Sequence, residues 1–150
     1  MDKQYYPVEI EEKWSKIWAE RVISNKDSED SFSQVIPPPN VTGTLHMGHS
    51  FQYAIMDFYT RYNHMTGKDA HWQVGADHAG IATQMVVENN LAKKDITRNE
   101  LGRKKFLDEV WSWKDYSEEK ITSQIKRLGC SVDWNKYRFT LDGLAPSLRE

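Results

Sequence analysis

Two short apolar runs flank one long helix-patterned stretch, and that order restricts the fold more than any other feature of the chain. The first run, Phe32 to Ile36 (FSQVI), is partly β-branched and stops at Pro37, Pro38 and Pro39, which cannot continue a sheet ladder. The second, His71 to Gly75 (HWQVG), stops at Ala76 and Asp77. Between them Phe51, Ala54, Ile55, Phe58, Tyr59, Tyr62 and Met65 recur at helical spacing, and Gly67 is placed to end the helix. A helix of that length can cross over between neighbouring strands, so the pattern predicts a parallel βαβ unit and an α/β fold. The aromatic-rich helix face is expected to be core. Ligands of such sheets bind beyond the carboxyl ends of the strands. Two polar blocks begin there, one after Ile36 and one after Val74.

The first block is PPPNVTGTLHMGH, Pro37 to His49. Asn40 and Gly43 supply a turn, and Thr42 or Thr44 is suited to cap the helix that follows. His46 and His49 are three apart and share one face at the helix's amino end, with Gly48 leaving the backbone open between them. Backbone N–H groups and the positive dipole end favour an anion at such a place, and two imidazoles add donors. The chemistry fits a phosphate. In the second block Asp77 has two readings, a cap for the next helix or a carboxylate that holds an amino acid's ammonium group. His78 has two as well, hydrogen bonding behind the site or direct contact with substrate.

The remaining chain reads as packing elements. Pro7 to Val22 sets Ile10, Trp14, Ile17 and Trp18 on one stripe, predicting a helix that packs by its tryptophans. Ser24 to Ser31 is a polar loop. A helix from about Asp77 to Ala92 would turn Met85, Val86 and Leu91 inward. Thr97, with Glu100 three residues on, predicts a capping box at the start of one long helix carrying Phe106, Val110, Trp113, Ile121, Ile125 and Leu128 to Gly129. Its basic residues Arg103, Lys104, Lys105, Lys126 and Arg127 are balanced by acidic ones between them, which describes a solvated face. Cys130 to Thr140 returns to extended or irregular chain, and Ser147 to Glu150 after Pro146 reads as a helix beginning.

Composition narrows the function classes. No apolar run approaches the roughly 20 residues that span a membrane. The single cysteine, Cys130, has no internal partner, which suits a reducing, cytoplasmic setting, and no Cys-rich spacing suggests a zinc site; no metal ligand set is expected. The formal charge of −2 argues that this stretch does not grip RNA alone, because phosphate neutralisation dominates such affinity.

His46-Met47-Gly48-His49 is similar to the HIGH motif of the class I aminoacyl-tRNA synthetases. The longer block PPPNVTGTLHMGH, together with VGADHAGIATQ from Val74 to Gln84, resembles the valine-specific branch of that family. The resemblance runs from Tyr6 to about Asp142. It implies that residues 32–150 are the first half of a Rossmann-like nucleotide-binding catalytic domain. Residues 1–31 would be an amino-terminal helix and loop, and the inserted editing domain and the KMSKS-bearing half lie beyond. It implies valine activation with ATP and magnesium, then transfer to tRNA(Val). His46 and His49 would be catalytic; His46, Gly48, His49 and Thr44 would bind ATP, with Gly48 against the adenine. Pro37, Pro38, Asn40, Asp77 and His78 would bind the amino acid. Ala76 departs from the Thr that members often carry, which would remove a hydrogen bond beside Asp77. Two other readings stay open: an H-x-G-H nucleotidylyltransferase, or a truncated, non-catalytic nucleotide-binding or regulatory module.

Overall fold

The computed structural model describes residues 4–20 and 27–142. They form α1 (Pro7–Glu20), β1 (Ser31–Val35), α2 (Met47–Met65), β2 (Asp69–Gln73), β3 (Gly75–Ala76), α3 (Ile81–Ala92), α4 (Arg98–Leu101), α5 (Arg103–Arg127), a single 3₁₀ turn (Trp134–Lys136) and β4 (Arg138–Phe139). The expected continuation of the first helix to Val22, the start of the loop at Ser24 and the helical start after Pro146 lie outside the described residues. The chain divides into two compact units.

The first unit takes in α1, β1, α2, β2 and residues Ser123–Tyr137. Its centre is the anticipated βαβ unit: β1 and β2 pair in parallel, with Phe32 opposite Ala70 and Gln34 opposite Trp72. Tyr53 of α2 and Trp72 of β2 are both fully buried, their rings edge-on at 6.1 Å. Gly67 ends α2 as expected, at φ 88°, with its N–H donating to the His64 carbonyl and the Lys68 N–H to that of Asn63.

The aromatic stripe of α2 is not core. Phe51, Ile55, Phe58, Tyr59, Tyr62 and Met65 are all exposed, Phe58 at 64%. The buried side carries Tyr53, Thr60 and Asn63 instead. Thr60 and Asn63 tolerate burial because the helix's own backbone satisfies them: Thr60 donates to the Met56 carbonyl at 3.0 Å and Asn63 to that of Tyr59 at 2.9 Å. Gln34 of β1 adds a side-chain donor to the Thr60 hydroxyl at 2.6 Å. Asp57 accepts the Ser131 N–H at 2.6 Å and Arg61 at 2.7 Å, and Arg61 reaches the Gly129 carbonyl at 2.6 Å. A hydrophobic period marks a face; here polar contacts decide which face turns inward. Trp14 and Trp18 of α1 are likewise half-exposed, although Trp18 packs against Gly129 and under the Arg61 guanidinium.

The second unit takes in Pro37–Leu45, Gly75–Thr122 and β4. Val87, Leu91 and Phe106 form its buried centre, with Ile96, Leu101, Val110 and Trp113 packed around them. Val87 takes the inward position expected of Met85, which is exposed, and Val86 is only half-buried. The Thr97–Glu100 capping box is present, with Thr97 N–H donating to Glu100 at 2.9 Å and Glu100 N–H to Thr97 at 3.3 Å. It caps a four-residue helix rather than the long one. Gly102, at φ 77°, divides α4 from α5, because a helix of L-residues does not pass through that conformation. Arg103, Lys104, Lys105, Lys126 and Arg127 of α5 are exposed, as a solvated face requires, and so is Leu128.

Candidate functional site

The helix cap at the amino end of α2 is built by the two histidines themselves. His46, in extended conformation, is the N-cap; its ring accepts the Gly48 N–H at 3.1 Å and also the His49 N–H. The His49 ring reaches back and accepts the His46 N–H at 3.2 Å. This is a capping box made of two imidazoles, and it displaces the expectation that Thr42 or Thr44 would cap. The helix starts at Met47, so both threonines precede the position from which a side chain reaches its first N–H groups. It also changes what the site presents, since backbone donors expected to face an anion are already engaged by the rings.

That geometry fixes the protons. An Nδ1 that accepts a hydrogen bond carries no hydrogen, so each neutral ring holds its proton on Nε2. The rings lie 3.9 Å apart at 42°, and His49 is held below its ordinary pKa of 6.5, first by burial and then by the charge His46 would carry. Two Nε2–H donors are the product. Gly48 makes room for the arrangement, because a Cβ there would meet the His46 ring at 2.9 Å. Behind His49 stands the buried Tyr53 ring, 6.0 Å away.

The amino-acid candidates gather in the second unit. Asn40 and Asp77 form an isolated parallel bridge, Val41 N–H donating to the Asp77 carbonyl at 2.9 Å and Asp77 N–H to that of Pro39 at 2.8 Å. Pro39 is buried, whereas Pro37 and Pro38 are exposed. The turn is fastened to α5 by Trp113 Nε1, donating to the Val41 carbonyl at 2.9 Å, and by the Ser117 hydroxyl, donating to that of Gly43 at 3.1 Å. Thr44 is exposed.

Asp77 is not a helix cap. Gly80 occupies that position of α3 without a side-chain bond, and Ala79 and Gly80 turn the chain at φ 52° and 39°. The Asp77 carboxylate therefore stands too far ahead of Ile81 to cap it. Its Oδ1 accepts the Thr140 hydroxyl at 3.0 Å and lies 3.2 Å from His78 Nδ1. The hydroxyl beside Asp77 thus comes from Thr140; Ala76, fully buried, supplies only a carbonyl that accepts the Thr140 N–H at 3.1 Å. Thr140 is brought there by the parallel β3–β4 pairing, and Gly75 allows it because a Cβ at that position would strike the Arg138 carbonyl.

Thr140, Gly75, Trp113 and Ser117 are the participants that sequence reasoning did not single out. The β-branched end of the extended stretch Cys130–Thr140 was the available signal for the first. Two cavities of about 350 and 270 Å³ open among α3, α4 and α5, lined respectively by Gln84, Arg98 and Phe106 and by Val87, Leu91 and Trp113. Neither involves the candidate residues. Among the described residues no three His, Cys, Asp or Glu side chains gather to hold a metal ion, and no helix is long and apolar enough to cross a membrane.

A family model described as tRNA synthetases class I (I, L, M and V) matches residues 9–147. A valine–tRNA ligase of Acinetobacter baylyi is 57% identical over 148 residues, covering 97% of this chain and 15% of the relative. Those of Francisella tularensis and Fusobacterium nucleatum are 50% and 49% identical, with this whole chain matching 17% of each. The chain therefore spans about a sixth of the length of these relatives. Among solved structures, the LeuRS of a ternary complex with tRNA and LeuAMS from Agrobacterium radiobacter K84 superposes with a TM-score of 0.72. It is 20% identical, with 93% of this chain and 16% of that one covered, a likeness of fold.

Proposed function

Because this chain belongs to the class I tRNA synthetases, we propose that it forms the amino-terminal part of an enzyme that activates valine with ATP and charges tRNA(Val). Residues 32–150 would be the first half of its catalytic domain, preceded by the helix and loop of 1–31. In the first step a carboxylate oxygen of valine attacks the α-phosphorus of ATP, and the bond from that phosphorus to pyrophosphate breaks. A terminal ribose hydroxyl of the tRNA then takes the acyl group. Charge builds on phosphate oxygens in the first step, so positioned donors and electrostatics carry the catalysis.

The observation that carries this reading is the imidazole capping box. It makes His46 and His49 fixed donors through Nε2–H, and donors rather than bases are what phosphate oxygens require. Gly48 would leave the adenine room to approach, and Thr44 would line the nucleotide. Asp77 would hold the valine ammonium, with Asn40 and His78 beside it and Pro37 and Pro38 walling the side chain. A rigid apolar wall rejects larger residues better than isosteric threonine. Magnesium would arrive with ATP. The negative balance of this stretch leaves most of the tRNA contact to other parts of a longer, cytoplasmic chain.

Valine-dependent exchange of labelled pyrophosphate into ATP tests the reading in the full-length chain. His49→Ala should lower exchange at least about 100-fold, the size seen when a transition-state donor is removed, and Asp77→Asn, which removes the charged acceptor for the ammonium, should lower it as well. Exchange that proceeds without any amino acid would instead indicate a nucleotidylyltransferase. Exchange absent altogether would favour a non-catalytic module. The 150-residue chain by itself is expected to be weak or inactive, and robust turnover by it would overturn that expectation.

A further inference from the structure

We propose that Thr140 is a positioning residue that sets the hydrogen-bonding polarity of the amino-acid site. The inference rests on the reading of Asp77 as the carboxylate that receives the substrate's ammonium group. Three contacts meet at the Thr140 oxygen: Asp77 Oδ1 at 3.0 Å, the His78 backbone N–H at 2.9 Å and His78 Nδ1 at 2.7 Å. A hydroxyl has one hydrogen and two acceptor sites. The hydrogen goes to Asp77, because a carboxylate can only accept. Both contacts from His78 must then donate, which puts a hydrogen on His78 Nδ1 and completes the valence of the threonine oxygen.

The neutral His78 ring consequently has Nε2 as its acceptor, opposite to His46 and His49. An α-ammonium group is all donor and needs acceptors around it. Thr140 provides that condition without touching substrate: it pins one Asp77 oxygen and leaves the other for the cation, and it ties the Nδ1–H of His78 to itself, so that an uncharged ring offers a lone pair at Nε2. Thr83 fixes the adjoining backbone by donating to the His78 carbonyl at 2.7 Å. The delivery of Thr140 depends on the close approach of β4 to Gly75.

The experiment has two readouts. In the 150-residue chain, ring ¹⁵N shifts of His78 should report hydrogen on Nδ1 for the native protein and for Thr140→Ser. Thr140→Val should weaken that preference measurably, leaving only the Asp77 Oδ1 contact at 3.2 Å to hold it. In the full-length chain, Thr140→Val should raise the KM for valine in pyrophosphate exchange about tenfold, the scale of one hydrogen bond to a charged group. The KM for ATP should stay within about twofold and Thr140→Ser should restore the native value. Unchanged His78 shifts in Thr140→Val, or a KM rise shared equally by valine and ATP, overturns the proposal. Should Asp77→Asn leave exchange intact while the shifts behave as expected, the fault lies in the reading of Asp77 and not in the hydrogen-bond assignment.

Discussion

The His49 imidazole accepts the backbone N–H of His46 at 3.2 Å, and so each histidine of the motif holds the other's segment in place. That mutual arrangement requires both Nδ1 atoms to be unprotonated.

Acid should therefore open the first turn of α2. The folded state lowers the pKa of His49, so the unfolded chain takes up its proton first as pH falls. Stability from the neutral ring is complete above 6.5 and is lost as the pH drops from there through the lowered folded value. His64, also lowered by burial, contributes in the same direction. Nuclear magnetic resonance titration should place His49 below 6.5, and His46→Ala should raise it; a His49 midpoint above 6.5 would contradict the cap.

The exposed stripe of α2 should be nearly silent in stability. Phe58→Ser in this chain is expected to move the unfolding free energy by no more than about 0.5 kcal/mol. Trp72→Ala, by contrast, should cost about 3–5 kcal/mol. Urea denaturation measures both, and a loss above about 2 kcal/mol for Phe58→Ser would mean that the face is covered.

The turn at Val41–Gly43 should depend on α5. Trp113→Phe and Ser117→Ala each leave a backbone carbonyl without its donor, at about 1 kcal/mol apiece. Because both hold one short turn, the double variant should show coupling of about 0.5 kcal/mol or more. Strict additivity would separate the two bonds.

Gly75→Ala should cost about 1–3 kcal/mol, since the new methyl group meets backbone that cannot rotate away. It should also shift the His78 ring nitrogens as Thr140→Val does. A stable Gly75→Ala protein with native His78 shifts would detach β4 from the site.

Much of this could be read before any coordinates, and the parts that could not share a cause. The two strands, the crossover helix, the Gly67 stop and the Thr97 box all arise from neighbours within a turn or two, where periodicity and capping chemistry act. The inward face of α2 depends on Gln34, Gly129 and Ser131, whose partners lie far along the chain. The helix from Thr97 divides at Gly102 because one backbone angle outweighs a favourable pattern. At the site, His46 and His49 were visible as a motif, yet their use as caps was not, since histidine is not among the usual capping residues. Thr140 carried no motif; only strand pairing gives it a role.

The Thr140–Asp77 bond joins residues 63 apart in the chain. On a ribosome adding about 5–20 residues per second, the Asp77 carboxylate would wait roughly 3–13 s after its own synthesis before the threonine that orients it exists. Through that interval β3 has no β4 beside it, and the site is acquired late in the growth of this segment. A newly made chain would hold its two histidines in register well before it could fix Asp77, the carboxylate we propose for the amino acid.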